Sequence, residues 1–263
     1  MYTLITGASS GIGKALALEC ASRGMHLLLV ALPGNELSGL EKEITGKYRV
    51  NCHSFPIDLS QRCASSQVHD WVKANDYKVN VLINNVGVGS KGPFEKISKE
   101  FYYTQINLNI TAMCIMTRLF SCELKANAPS HILNVGSLGG FFVLPEKTVY
   151  TATKAFVYSF SQSLRSELKP QGINVSVVCP GGVDSNANTI ASNKDLKGIA
   201  KASILTAEEL AKQTISNMLK GKSVIIPGYV NKFNYGLSRI VPRFIQHIFI
   251  CRAFKNVKKH SYS

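Results

Sequence analysis

Thr3-Leu4-Ile5-Thr6-Gly7-Ala8-Ser9-Ser10-Gly11-Ile12-Gly13 runs from a short apolar stretch into a glycine-rich turn. The apolar residues read as a strand, and a helix-like pattern begins near Ile12. Three glycines let the backbone turn sharply and approach a ligand closely, and the helix N-terminus beyond them offers free N–H groups to a pyrophosphate. The stretch predicts the first strand–turn–helix unit of a dinucleotide-binding fold. Its spacing, Gly7-x-x-x-Gly11-x-Gly13, differs from the commoner G-x-G-x-x-G fingerprint. A tight connection with no ligand would use the same glycines, but here a strand precedes the turn and a helix follows it.

The rest of the chain repeats the alternation. Candidate strands are Tyr2 to Thr6, His26 to Ala31, Asn51 to Pro56, Val81 to Asn84, His131 to Val135, Asn174 to Cys179 and Val224 to Pro227, with amphipathic segments between them. Leu27-Leu28-Leu29-Val30 and Val81-Leu82-Ile83 are continuously apolar, as strands covered on both faces require. The expected fold is α/β, a doubly wound parallel sheet of about seven strands with helices on both faces, built as one domain over residues 1–263. Two segments depart from the rhythm. Residues 186–204 are polar and lysine-rich, ahead of a capping pattern at Thr206-Ala207-Glu208-Glu209, and suit a mobile lid over a ligand. Residues 229–263 form a basic, apolar C-terminal extension, which either packs on the domain or on another subunit, or lies on an anionic membrane surface.

At 263 residues and 45 % apolar, the chain can bury a large core and does not read as disordered. No run reaches the roughly 18 to 20 apolar residues of a membrane span. The first strand starts almost at Met1, so no signal peptide is expected ahead of it. The seven cysteines show neither C-x-x-C spacing nor clustered histidines, which argues against a metal site or a disulfide framework and for free thiols in a cytoplasmic protein. The net charge of +14 implies attraction to an anion: a phosphorylated cofactor, a coenzyme A thioester, an anionic membrane or nucleic acid.

Tyr150-Thr151-Ala152-Thr153-Lys154 sets a phenol and an ammonium four residues apart, on one face if the segment is helical. An adjacent ammonium favours phenolate, so the expectation is a tyrosine pKa lowered toward working pH and able to exchange a proton with a carbonyl or alcohol oxygen. Alone, such a pair occurs on many helices by chance.

Taken together, these motifs make residues 1 to about 230 resemble the short-chain dehydrogenase/reductase family. Besides the glycine turn and Tyr150-x-x-x-Lys154, the chain carries Asp58-Leu59 after the third strand, Asn84-Asn85-Val86-Gly87 after the fourth, and Asn107 on the next helix. Ser137 ends the fifth strand and Pro180-Gly181-Gly182-Val183-Asp184-Ser185 follows the sixth. The resemblance implies that Tyr150 is the general acid/base, that Lys154 lowers its pKa and bonds the nicotinamide ribose, and that Ser137 holds the substrate oxygen. It implies that Asn107 continues a water-linked proton path from Lys154. Cofactor contacts are implied for Gly7, Ser9, Ser10, Gly11, Ile12 and Gly13; for Asp58 and Leu59 beside adenine; for Asn85, Val86 and Gly87; and for Tyr150, Lys154, Pro180, Gly181, Val183 and Ser185. A capping role is the alternative for Asp58, as is a helix-distorting or capping role for Asn107.

Relatives that use NAD carry an acid at the end of the second strand, where this chain has Ala31 and Leu32. NADP(H) is therefore favoured and NAD(H) remains possible, although no arginine stands there; Ser9, Ser10, Asn35 or Lys14 would compensate. The valine in Asn84-Asn85-Val86-Gly87, the run from Tyr150 to Phe160-Ser161 and the basic tail resemble the 17β-hydroxysteroid dehydrogenase and very-long-chain 3-oxoacyl-CoA reductase branch. The implied function is an NAD(P)(H)-dependent oxidoreductase interconverting a ketone and a secondary alcohol on an apolar or acyl substrate. Val88, Phe141, Phe142 and Leu144 line its pocket or belong to the core. The alternatives are a 3-oxoacyl carrier-protein reductase and, in another class, a cofactor-binding sensor or scaffold without turnover. The expected partners are a small carbonyl or alcohol, including an acyl thioester, and a second copy of the chain in a homodimer or homotetramer; no nucleic acid is implied.

Overall fold

A computed structural model describes residues 1–194 and 198–241. Seven parallel strands form one sheet: β1 (Tyr2–Thr6), β2 (His26–Ala31), β3 (Cys52–Pro56), β4 (Val79–Asn84), β5 (Ser130–Val135), β6 (Ile173–Val178) and the short β9 (Val224–Ile225). Their order is β3-β2-β1-β4-β5-β6-β9, so the winding reverses between β1 and β4. In such a sheet the crevice at the carboxyl ends of the two strands flanking the reversal receives the ligand.

Alternation along each strand divides the core in two. Ile5, Leu27, Leu29, Val81 and Ile83 point to one face, where they pack on α1 (Gly11–Ser22), α2 (Asn35–Lys47) and α9 (Ala207–Leu219). Leu4, Leu28, Val30 and Leu82 point to the other, against α3 (Ala64–Ala74) and α5 (Met113–Ala126), where Phe120 is fully buried. α6 (Thr148–Leu168) crosses beside β6, and a buried polar chain ties it to the sheet. The Asn84 amide donates to Thr117 Oγ1 at 3.0 Å and Asn134 Oδ1 at 2.9 Å, and Asn134 donates to Ser161 Oγ at 2.9 Å. These bonds fix β4, β5, α5 and α6 relative to one another directly beneath the carboxyl edge.

Two features differ from the sequence reading. A second ladder forms between β7 (Val183–Asp184) and β8 (Leu205–Thr206). It closes the base of the segment expected to be a lid. That segment is helical where described, as α7 (Ala187–Asn193) and α8 (Gly198–Ala202), because Asn186 and Thr189 form a capping box and Asn193 donates to Asp184 at 2.8 Å. The expected box at Thr206 and Glu209 starts α9. Of the C-terminal extension, α10 (Tyr229–Ile240) is described, and residues 242–263 lie outside the described residues.

Candidate active site

The glycine turn is held from behind by residues of β1 and β4. Thr6 Oγ1 accepts from the amides of Asn85 at 3.0 Å and Val86 at 3.1 Å, while the Asn85 side chain donates to the carbonyls of Thr6 at 2.9 Å and Gly7 at 3.1 Å. Asn85 thus braces the turn with its side chain rather than offering it to adenosine. Gly13 packs so closely that an added Cβ would lie 1.9 Å from the Gly7 carbonyl oxygen. Ser10 is the N-cap of α1, yet its hydroxyl makes no capping bond, which leaves it and the first-turn amides to a ligand. Across the crevice, a Cβ on Gly11 would lie 3.4 Å from the Ser185 carbonyl oxygen, so the turn and the Pro180–Ser185 loop face each other. The Pro180 carbonyl accepts from the Leu138 amide at 2.8 Å, and Val183 is buried in the β7 ladder.

Asp58 does not cap the next helix, whose N-cap is Cys63, but closes the turn ahead of that helix. Its carboxylate takes the Ser60 amide and hydroxyl, each at 2.9 Å, and the Gln61 amide at 3.1 Å. Burial would raise its pKa, but the bonds from Ser60 and Gln61 outweigh that and hold it below the usual carboxylate value. Leu59 beside it is buried.

Ser137, Tyr150 and Lys154 converge at the carboxyl end of β5. Ser137 caps a short 3₁₀ turn over Leu138–Phe141, its Oγ accepting from the Gly139 amide at 3.0 Å. Its hydroxyl faces the Tyr150 phenol closely enough to pull that phenol's pKa down. Lys154, 6 % exposed, donates to the Val135 carbonyl at 2.8 Å, and its Nζ lies 5.9 Å from the centroid of the Tyr150 ring. Burial drives the Lys154 pKa from 10.5 down to about 8, opposed by the nearby Cys179 sulfur.

The expected direction for Tyr150 is reversed. Loss of water around the phenol raises its pKa, Cys179 adds to that, and Ser137 pulls the other way. The Lys154 ammonium, hydrogen-bonded to the Val135 carbonyl, does not offset the loss of water in the ligand-free protein. Cys179 is fully buried and its thiol is pushed up to about 12, so it stays protonated beside the ammonium.

Asn107 does not occupy the position assigned to it. Its amide donates at 3.4 Å to the Ser60 carbonyl, away from Lys154. The buried asparagine is Asn109, whose Oδ1 accepts from the Val88 amide at 2.9 Å and whose Nδ2 donates to the Val88 carbonyl and to Thr153 Oγ1, both at 3.0 Å. Thr153 in turn donates to the Tyr150 carbonyl at 2.7 Å. A Cβ on Gly87 would lie 2.8 Å from Asn109 Oδ1 and 3.5 Å from Lys154 Nζ, so both groups meet at that glycine. Residues Asn107–Ala112 form a π-helical stretch between α4 (Lys99–Ile106) and α5, a distortion that helices carry chiefly at functional sites. The helical phase held the missed signal: Asn109 falls in register with Gln105, Met113 and Met116 on the buried face, and Asn107 does not. Accordingly, Asn109→Ala should cost about 1–3 kcal/mol of stability from the unsatisfied Val88 groups. Asn107→Ala should stay within about 0.5 kcal/mol. Urea melts of the two variants check this.

Of the apolar residues considered for a pocket, Phe141 turns away, with its ring 4.8 Å from Tyr158 and 5.0 Å from Tyr235, and Val88 joins the core. Among the described residues, no group of three His, Cys, Asp or Glu is placed to hold a metal.

The sequence model of the short chain dehydrogenase family matches residues 2–196. Among curated relatives, very-long-chain 3-oxoacyl-CoA reductase-A of Danio rerio is 36 % identical over 183 residues, covering 68 % of this chain and 57 % of its own length. This chain therefore spans somewhat over half of that relative. Among solved structures, a short-chain dehydrogenase from Sphingobium yanoikuyae in complex with NADPH has a TM-score of 0.79 at 28 % identity, over 92 % of this chain and 96 % of the other. A bulky-bulky ketone specific alcohol dehydrogenase from Comamonas testosteroni has a TM-score of 0.77 at 28 % identity, over 92 % and 95 %.

Proposed function

This chain belongs to the short-chain dehydrogenase family, and on that premise we propose that it reduces a ketone to a secondary alcohol, and reverses the reaction, on an apolar acyl substrate, with a 3-oxoacyl thioester foremost. The observation that carries the reading is the convergence of Ser137, the Tyr150 phenol and a buried Lys154 at the carboxyl end of β5.

The chain's own residues fit a nicotinamide dinucleotide. The turn has no room for a Cβ at Gly13, and the Ser10 hydroxyl and the first amides of α1 are unspent. Ser9, Ser10 and the Gly11–Gly13 amides would hold the phosphates, Val86 and Gly87 the adenosine side, Lys154 the ribose, and the Pro180–Ser185 loop the nicotinamide. Bound there, the nicotinamide supplies or accepts the hydride. Ser137 orients the substrate oxygen. Tyr150 gives that oxygen a proton during reduction and takes it back during oxidation. Lys154 stabilises phenolate as it forms, and Asn109, locked to Thr153 and Val88, takes the place beside Lys154 expected for Asn107.

NADP(H) is the proposed cofactor. Ala31 is buried at the end of β2 and Leu32 is exposed, so no carboxylate stands there to repel a 2′-phosphate. The thioester reading draws on the mouth of the site. Lys147 is half-buried three residues before Tyr150, and burial together with repulsion from Lys91 lowers its pKa. An anionic ligand would relieve that repulsion. The helices α4–α5 and α6, with Tyr103, Ile106, Ile115 and Phe156 exposed, form the proposed dimer face. The six cysteines among the described residues are free, in keeping with a proposed cytoplasmic location.

Oxidation of NADPH and NADH with 3-oxoacyl-CoA, 3-oxoacyl carrier protein and simple bulky ketones tests the reading. The expected result is turnover of the CoA thioester with kcat/KM at least about tenfold higher for NADPH than NADH. Faster turnover of the carrier-protein thioester would move the substrate to the alternative reductase. NADPH binding without turnover of any carbonyl would replace the enzyme with a sensor or scaffold.

A further inference from the structure

α10 exposes too much apolar surface for a helix of a globular domain. Its inner side is mixed: Tyr235 packs on Phe141 and the apolar residues beneath it, and Asn231, 1 % exposed, donates to the carbonyls of Ser203 at 3.0 Å and Pro227 at 2.9 Å. Its outer side is apolar. Tyr229 is 89 % exposed, Phe233 70 %, Leu237 48 % and Ile240 82 %. Spaced three to four residues apart, these four form one stripe along the helix. A domain helix turns such a stripe inward. Here the hydrogen bonds of Asn231 and the ring contact between Tyr235 and Phe141 hold the helix with the stripe outward.

Charge identifies what covers it. Lys232 and Arg239 lie along one border of the stripe, the Lys232 ammonium 5.1 Å from the Tyr229 ring centroid. From Leu210 to Ser263 the sequence has ten Lys and Arg and no Asp or Glu, so a second copy would bring the same positive charge against this face. Among the described residues, no helix is long and apolar enough to cross a membrane. Apolar side chains bordered by cations and an aromatic ring are the composition of a helix that rests in the headgroup layer.

We propose that α10 lies on an anionic phospholipid bilayer, with Tyr229, Phe233, Leu237 and Ile240 inserted between headgroups and Lys232 and Arg239 against lipid phosphates. α10 packs behind the Ser137–Phe141 turn, and Asn231 Oδ1 would lie 2.4 Å from a Cβ on Gly181, so the docked face adjoins the candidate site. The lipid contact stands on the helix alone; only its use in delivering an apolar acyl substrate rests on the function proposed above.

Co-sedimentation of the full chain with vesicles tests it. Wild type should bind phosphatidylcholine vesicles containing about 30 % phosphatidylserine, weakly bind phosphatidylcholine alone, and release as salt rises. Phe233→Ser with Ile240→Ser should lower the partition coefficient about tenfold or more. Lys232→Gln with Arg239→Gln should lower it about fivefold or more. NADPH binding and turnover of a water-soluble ketone should be unchanged in both double variants, which separates lipid docking from unfolding and from failure of the catalytic reading. The proposal is overturned if wild type ignores anionic vesicles or if the Phe233/Ile240 variant binds them like wild type. It is equally overturned if that variant changes only the oligomeric state in size-exclusion chromatography, for then a second copy covers the stripe.

Discussion

Tyr150→Phe should lower kcat/KM for ketone reduction by about 10² to 10⁴-fold, with stability and NADPH affinity close to wild type. The substitution removes one oxygen and keeps the ring, whose edge lies 3.7 Å from where a Cβ on Gly89 would sit. What is lost is the proton donor beside Ser137. Burial raises the Tyr150 pKa above its usual 10, so at neutral pH the group is a phenol and is already in the form reduction needs. Wild-type reduction should therefore hold level through neutral pH and fall in alkali, first as Lys154 loses its proton from about 8 and further as the phenol ionises. Alcohol oxidation needs phenolate and should climb over the same alkaline range. Initial rates in both directions across pH, for wild type and variant, provide the check. A variant with undiminished turnover, or oxidation that peaks below neutrality, would remove Tyr150 from the reaction.

Much of this architecture was legible because it follows from short-range pattern. Leu27-Leu28-Leu29-Val30 had to be a strand buried on both faces, and β2 is; the glycine turn had to connect a strand to a helix, and Gly7 and Gly11 adopt φ of +65 and +55 to do so. What the pattern missed depends on partners distant in sequence. Asn107 and Asn109 differ by two positions; helical phase puts Asn109 on the buried face, and its bonds to Val88 and Thr153 then hold it beside Lys154. Asp58 kept its position but not its freedom, since Ser60 and Gln61 occupy both carboxylate oxygens. Phe141 read equally as pocket wall or core until Tyr235, 94 residues on, supplied its ring partner. The Tyr150 pKa was misjudged for a related reason: spacing shows that an ammonium is near, whereas the outcome depends on how much water remains around the phenol.

Lys154 is where stability and activity should separate most clearly. Lys154→Met keeps the length of the side chain and removes the buried charge. The fall in its pKa from 10.5 to about 8 corresponds to a folding cost of about 3 kcal/mol. That cost is fully present below pH 8, where the ammonium is charged in both the folded and unfolded chain. It is relieved as pH rises from about 8, where the folded chain loses the proton, toward 10.5, where the unfolded chain does too. Cys179, held protonated up to about 12, does not titrate in that window. Losing the bond to the Val135 carbonyl subtracts about 1 kcal/mol from the gain. At pH 7 the ligand-free variant should therefore be about 2 kcal/mol more stable than wild type, and as pH rises past 10.5, with the charge cost gone and the Val135 bond still missing, it should become about 1 kcal/mol less stable. Turnover should fall about a hundredfold or more, because nothing then stabilises the phenolate as it forms. Urea melts from pH 7 to beyond 10.5 decide the matter: equal stability at every pH would mean that the buried ammonium costs the fold nothing. On the function proposed above, a charge carried at no gain in stability serves the reaction, from a position between Val135, Gly87 and the Tyr150 ring.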